Sequence, residues 1–216
     1  MNKQVDNIIR CYACTKESTS REHVPPKCFF PKGHRKNLIT VPSCKKHTQD
    51  NSEYVEYVRD IITICFQVNK TGTEQFENKT FRSVTRNSRL IDKLFKNLST
   101  VYLNGSETGS TEADLDIFDK VFNLIGKALY FYDFGKRFTH KFKVLPASFF
   151  SKDIAQLDQT KQYYKMIKTL NLLKYEKINT ENPKVFRYDR YREDKNNIVY
   201  RLLFYEGFII FLVFTK

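Results

Sequence analysis

Four side chains in the first fifty residues have the types and spacing of a metal site. Cys11 and Cys14 are separated by two residues, and Cys44 and His47 repeat that spacing about thirty residues later. This spacing lets a tight turn aim two soft ligands at one ion. Two such pairs complete a tetrahedral Cys3His set, the closed geometry of structural Zn2+. Between the pairs stand Glu22-His23, Pro25-Pro26 and Asn37-Leu38. A plain zinc ribbon needs only a polar connector there, so an acid beside a histidine is a candidate for chemistry rather than for folding.

The run from Glu22-His23 through Pro25-Pro26-Lys27, then Leu38 to Ser43 and Cys44-x2-His47, resembles the HNH (ββα-metal) endonucleases in their zinc-stapled version. The likeness covers roughly residues 10 to 60. It implies a metal-dependent nuclease that hydrolyses DNA phosphodiester bonds and leaves 5′-phosphate and 3′-hydroxyl ends. His23 and Asn37 match the first two letters of the motif. The third letter, normally His or Asn directly after the last zinc ligand, is Thr48 here, a poor ligand for a divalent cation. Asn51, one helical turn beyond His47, would supply the missing oxygen, with Asp50 as a second candidate. In another register His47 and Asn51 would both serve the catalytic metal, which leaves the zinc set short of a ligand.

The chemistry behind this grouping is general. Cutting a phosphodiester needs a water deprotonated near neutral pH, a cation on the scissile phosphate, and fixed geometry for both. A histidine that titrates near neutrality suits the first task. His23 is therefore the expected general base, Glu22 a hard oxygen ligand for Mg2+ or Mn2+, and Asn37 a positioning group for the loop.

Charge agrees with a polyanionic partner. The net charge is +13 and the pI about 9.4. Lys and Arg number ten in residues 1–50 against four acids. A basic surface attracts nucleic acid and gains affinity from counterion release. Lys27, Lys32, Arg35, Lys36, Lys45 and Lys46 are the candidate phosphate contacts, on DNA or RNA. The polar start and an apolar run limited to Phe208–Phe214 predict neither signal peptide nor membrane span. With three of five cysteines in the zinc set, Cys28 and Cys65 are left as thiols, a usage suited to a reducing cytoplasm.

These groups must be positioned by an α+β chain: an N-terminal zinc-bound ββα unit, then helices, then a small C-terminal antiparallel sheet. Residues 1–70 are the expected nuclease domain. Residues 71–216 are an accessory domain for substrate contact, homodimerisation or regulation. Val5, Ile8 and Ile9 are expected to pack under the first knuckle, and 38–41 to form a strand. A helix is expected from Ser52 to about Asn69, followed by a polar loop over 70–79. Arg82 to Leu98 reads as a second helix with a basic face, and Asn104 to Ser110 as a loop. Thr111-Glu112-Ala113-Asp114 has the form of a capping box. It opens a helix with Leu115, Phe118, Val121, Phe122, Ile125 and Leu129 on its buried stripe, ended by Gly135. A helix over 157–175 and strands at 185–191, 197–205 and 208–214 complete the reading, with Glu206-Gly207 as a tight turn.

Three functions compete on these residues. The first is an HNH endonuclease, of the kind found in phage defence and mobile elements by family-level analogy. The second is a zinc-stabilised nucleic-acid-binding module that has lost cleavage, for which Thr48 speaks. The third is a zinc-knuckle protein-interaction domain, which would require neither Glu22-His23 nor the positive charge.

Overall fold

The computed structural model describes residues 9–49, 52–82, 85, 88–103, 106–149, 158–194 and 197–215. Mixed helix and sheet surround a C-terminal antiparallel sheet. The strands and helices, in chain order, are β1 (Ser20–His23), β2 (Thr40–Ser43), α1 (Lys45–Gln49), α2 (Ser52–Ile64) and α3 (Lys70–Gln75). They continue with α4 (Ser88–Leu94), β3 (Ser99–Leu103), β4 (Ser106–Ser110), α5 (Leu115–Phe134), β5 (Phe142–Leu145) and α6 (Asp158–Asn171). The last four are β6 (Glu176–Ile178), β7 (Phe186–Arg192), β8 (Ile198–Phe204) and β9 (Phe208–Phe214).

The large sheet runs β5-β9-β8-β7-β6, antiparallel throughout. Its two faces explain the unbroken apolar run of β9. Phe208, Ile210, Leu212 and Phe214 join the main core with α5, whereas Phe211 meets Ile167 and Leu170 of α6 on the other side. A strand covered on both faces has no solvent side on which to place polar residues. The β8–β9 turn puts Tyr205 at φ 47° and Glu206 at φ 61°, the positive values of a type I′ hairpin. Gly207 has a second constraint, because a Cβ there would lie 1.6 Å from the Gln67 carbonyl oxygen.

Helix α5 is the central pillar. Asp114 is its N-cap and accepts from the Ile117 N–H at 3.1 Å, while Gly135 ends it in the left-handed conformation. Thr111 has a different task from the expected capping box: its hydroxyl donates to the Leu94 and Lys96 carbonyls. Phe118, Val121, Phe122, Ile125 and Leu129 are buried as the stripe requires, but Leu115 is half exposed.

Several other expectations are corrected. Ile9 is 64% exposed and does not pack under the knuckle; Val5 and Ile8 lie outside the described residues. The strand expected over 38–41 is shifted, with β2 spanning Thr40–Ser43. Helix α2 stops at Ile64 and residues 70–81 are helical rather than a loop: α3 is followed by a π-helical turn over Phe76–Phe81. Asn69 caps α3 by accepting from the Gly72 N–H, and Gln75 and Thr80 turn inward. The helix expected over 82–98 is limited to Ser88–Leu94 within the described residues, and Ser106–Ser110 is a strand that pairs with Ser99–Leu103. The edge strands β5 and β6 had no counterpart in the sequence reading.

One apolar core serves both ends of the chain. It includes Cys11, Tyr12, Phe29, Phe30 and Val41 together with Val58, Ile62, Phe122, Phe204 and Phe214.

Candidate metal centre and active-site cleft

The two knuckles meet because β1 and β2 pair. Their register sets Ser20 opposite Ser43, Glu22 opposite Val41 and His23 opposite Thr40. The Tyr12 N–H donates to the Pro42 carbonyl and Thr19 N–H to that of Ser43, which fastens the first knuckle to β2. The second knuckle is the start of α1, where His47 and Thr48 N–H groups both return to the Cys44 carbonyl.

The four ligand atoms of Cys11, Cys14, Cys44 and His47 all lie within 4.8 Å of one another and could hold a metal ion such as zinc. Cys14 Sγ is 3.7 Å from Cys44 Sγ, and His47 Nδ1 is 3.3 Å from Cys11 Sγ and 3.4 Å from Cys44 Sγ. A tetrahedral zinc with bonds of about 2.3 Å to sulfur and about 2.0 Å to nitrogen has edges of roughly 3.5–3.8 Å. These three pairs lie close to that spacing, and the other donor pairs lie within 4.8 Å. Burial works against a thiolate at Cys44, but the His47 backbone N–H and the neighbouring thiols outweigh it and hold this thiol below its ordinary value.

Beside this centre opens a cleft of about 200 Å3. Glu22, His23, His47 and Thr48 form its floor, Glu56 and Val55 of α2 one wall, and Val121, Leu124, Ile125 and Ala128 of α5 another. Desolvation raises the Glu22 carboxyl to about 7, only partly opposed by the His23 backbone N–H. The His23 imidazole moves the opposite way: burial, and then the nearby Lys27 charge, hold it below its ordinary value. At neutral pH His23 is a neutral imidazole able to accept a proton.

The other sequence candidates are distributed unevenly. Thr48 is occupied structurally. Its Oγ1 is 2.8 Å from Ser20 Oγ, donates to Ser43 Oγ at 3.0 Å, and ties α1 to the hairpin. Asp50 and Asn51 lie outside the described residues. Asn37 is exposed, precedes β2 at φ 48°, a conformation that asparagine tolerates better than most residues, and does not line the cleft. Lys27, Lys32, Lys36, Lys45 and Lys46 are exposed, and Arg35 Nε donates to the Phe30 carbonyl. The sequence reading missed Tyr12, Glu56 and the α5 wall. Tyr12 is fully buried between the knuckle and the cleft, and its phenol is pushed up by burial and by Glu22. Cys28 and Cys65 are free thiols that burial raises to about 11 and about 12, so both are protonated and unreactive at neutral pH.

No family model, curated protein or solved structure matches the chain. No helix among the described residues is long and apolar enough to cross a membrane.

Proposed function

We propose that the chain is a metal-dependent endonuclease of HNH type that hydrolyses phosphodiester bonds of DNA, with the Cys3His set as a structural zinc centre. The observation that carries this reading is the convergence of Glu22, His23 and the first turn of α1 on one cleft beside the Cys/His cluster. A ββ hairpin followed by a helix, braced at its base by two knuckles, is the arrangement that the motif resemblance implies.

In this reading His23 takes a proton from a water whose oxygen attacks phosphorus. The P–O3′ bond breaks, O3′ leaves as a hydroxyl after gaining a proton from solvent, and the phosphate stays on the 5′ side. The lowered pKa of His23 suits a base that must be unprotonated at pH 7. Bound Mg2+ or Mn2+ would supply charge neutralisation at the scissile phosphate. Glu22 fits such an ion. It is a half-buried carboxylate without an ion-pair partner among the described residues, and its raised pKa reflects burial that the His23 N–H only partly offsets. Asn51 or Asp50 would provide further oxygen ligands, since Thr48 is spent on Ser20 and Ser43.

The second reading, a nucleic-acid-binding module without cleavage, is favoured by that same engagement of Thr48. Supercoiled plasmid separates the two. Wild-type protein with Mg2+ or Mn2+ should nick or linearise it, and His23→Ala should lower the rate by at least about 100-fold, the usual worth of a general base. An absence of metal-dependent cutting by the wild type, with DNA still bound, would select the binding module.

A further inference from the structure

The cleft does not end at His47. His47 and Leu124 also line an adjoining groove, whose other walls are Lys46 of α1, Lys120, Asn123 and Lys127 of α5, and Lys141 just before β5. We propose that this groove is a phosphate track, which takes the sugar-phosphate backbone of the nucleic acid that enters the cleft. The proposal rests on the nuclease or nucleic-acid-binding reading of the cleft, and adds the surface that holds the substrate.

Three observations carry it. Lys120, Asn123 and Lys127 follow at i, i+3 and i+7, so they form one row along α5, beside the apolar row that walls the cleft. The row is built rather than merely solvated, because the Lys120 ammonium sits 5.3 Å over the Tyr54 ring of α2. The charge is only partly compensated. Asp119 is the sole acid among the lining residues, and its carboxylate and carbonyl oxygens both accept from Asn123 Nδ2 at 3.0 Å. Among the described residues none of the four ammonium groups is ion-paired. Four like charges against a single carboxylate leave a positive surplus whose mutual repulsion a further anion relieves, and a phosphodiester chain presents anions in series.

The test is a binding titration of fluorescein-labelled DNA, duplex and single strand, in zinc-containing buffer without Mg2+, so that cutting plays no part. The full-length variant Lys120→Gln/Lys127→Gln/Lys141→Gln is compared with Lys165→Gln/Lys174→Gln/Lys177→Gln. The latter removes the same charge from exposed lysines that do not line the groove. The groove variant should bind about tenfold or more weakly and lose about 2–3 from the slope of log K against log salt on the preferred form. The remote variant should keep the wild-type slope, and Lys→Arg at the three groove positions should restore binding. Equal behaviour of the groove and remote variants, on duplex and strand alike, would overturn the track. His23→Ala in the same titration keeps the two proposals apart, because a track without cleavage still shows the lysine effect.

Discussion

The N-terminal knuckle region and the C-terminal sheet are held together by different physics. Residues 9–49 contain two four-residue strands and a five-residue helix. Their convergence point is a cluster of three thiols and an imidazole. The sheet is held by burial of rings. Phe214 alone has Phe142 stacked at 4.1 Å, Phe138 at 4.8 Å and Tyr200 at 5.4 Å between centroids. The first region lends Tyr12, Phe29, Phe30 and Val41 to the shared core but has little regular structure of its own, so its local order is expected to lean on the Cys/His cluster, whereas a region built on β9 depends on area removed from water. The proposed chemistry sits on the first kind and is backed by the second.

This contrast can be broken from either side. The largest effect is expected from Cys44→Ser. Structural zinc contributes an apparent ~10–16 kcal/mol in small metal-folded units. The variant should therefore purify without zinc by elemental analysis and show fast hydrogen exchange over residues 9–49, with protection of β7–β9 retained. Zinc retention by this variant would refute the Cys3His assignment. Phe214→Ala should destabilise the whole chain by about 3–5 kcal/mol in denaturant unfolding, yet release no zinc under native conditions. Glu22→Gln should have the smallest and most conditional effect. A carboxylate whose folded pKa is raised to about 7 contributes stability below its unfolded value that is lost as pH rises through 7. Removing the charge should thus raise Tm by a few degrees at pH 8 in Mg2+-free buffer and leave it unchanged at pH 4, below the unfolded pKa. An equal effect at both pH values would mean that Glu22 carries no buried charge.

The same division governs what could be read from the sequence. Ligand spacing is local, and Cys-x2-Cys with Cys-x2-His announces a cluster without knowledge of the fold. The long α5 stripe and the β7–β9 strands were legible because their apolar periods are strong. Residues 70–81 were misread because their inward side chains are polar. Gln75 donates to the Cys28 carbonyl, and Thr80 to Asp60, itself paired with Arg59 at 2.7 Å. A buried hydrogen-bonded network scores as a loop in any hydrophobicity count. None of the described side chains of the β3–β4 hairpin is buried, Tyr102 being 69% exposed, although Asn104-Gly105 between its strands is a hairpin dipeptide by composition. The α5 wall lies about a hundred residues from His23, so only tertiary packing brings it to the cleft.

The β8–β9 turn also determines how portable the candidate catalytic unit is. The Tyr205 hydroxyl donates to the Phe29 carbonyl. The Asn69 amide spans the Lys184 carbonyl at 2.9 Å and Glu206 Oε2 at 2.7 Å, and Asn182 donates to the Lys36 carbonyl. The loop that leaves His23 is thus clipped to a hairpin tip nearly two hundred residues downstream. A protein engineer who transplanted the knuckles and cleft into another scaffold would have to carry that tip along. In a mutational screen for the proposed activity, positions 205–207 would register as loss-of-function sites although none of them lines the cleft.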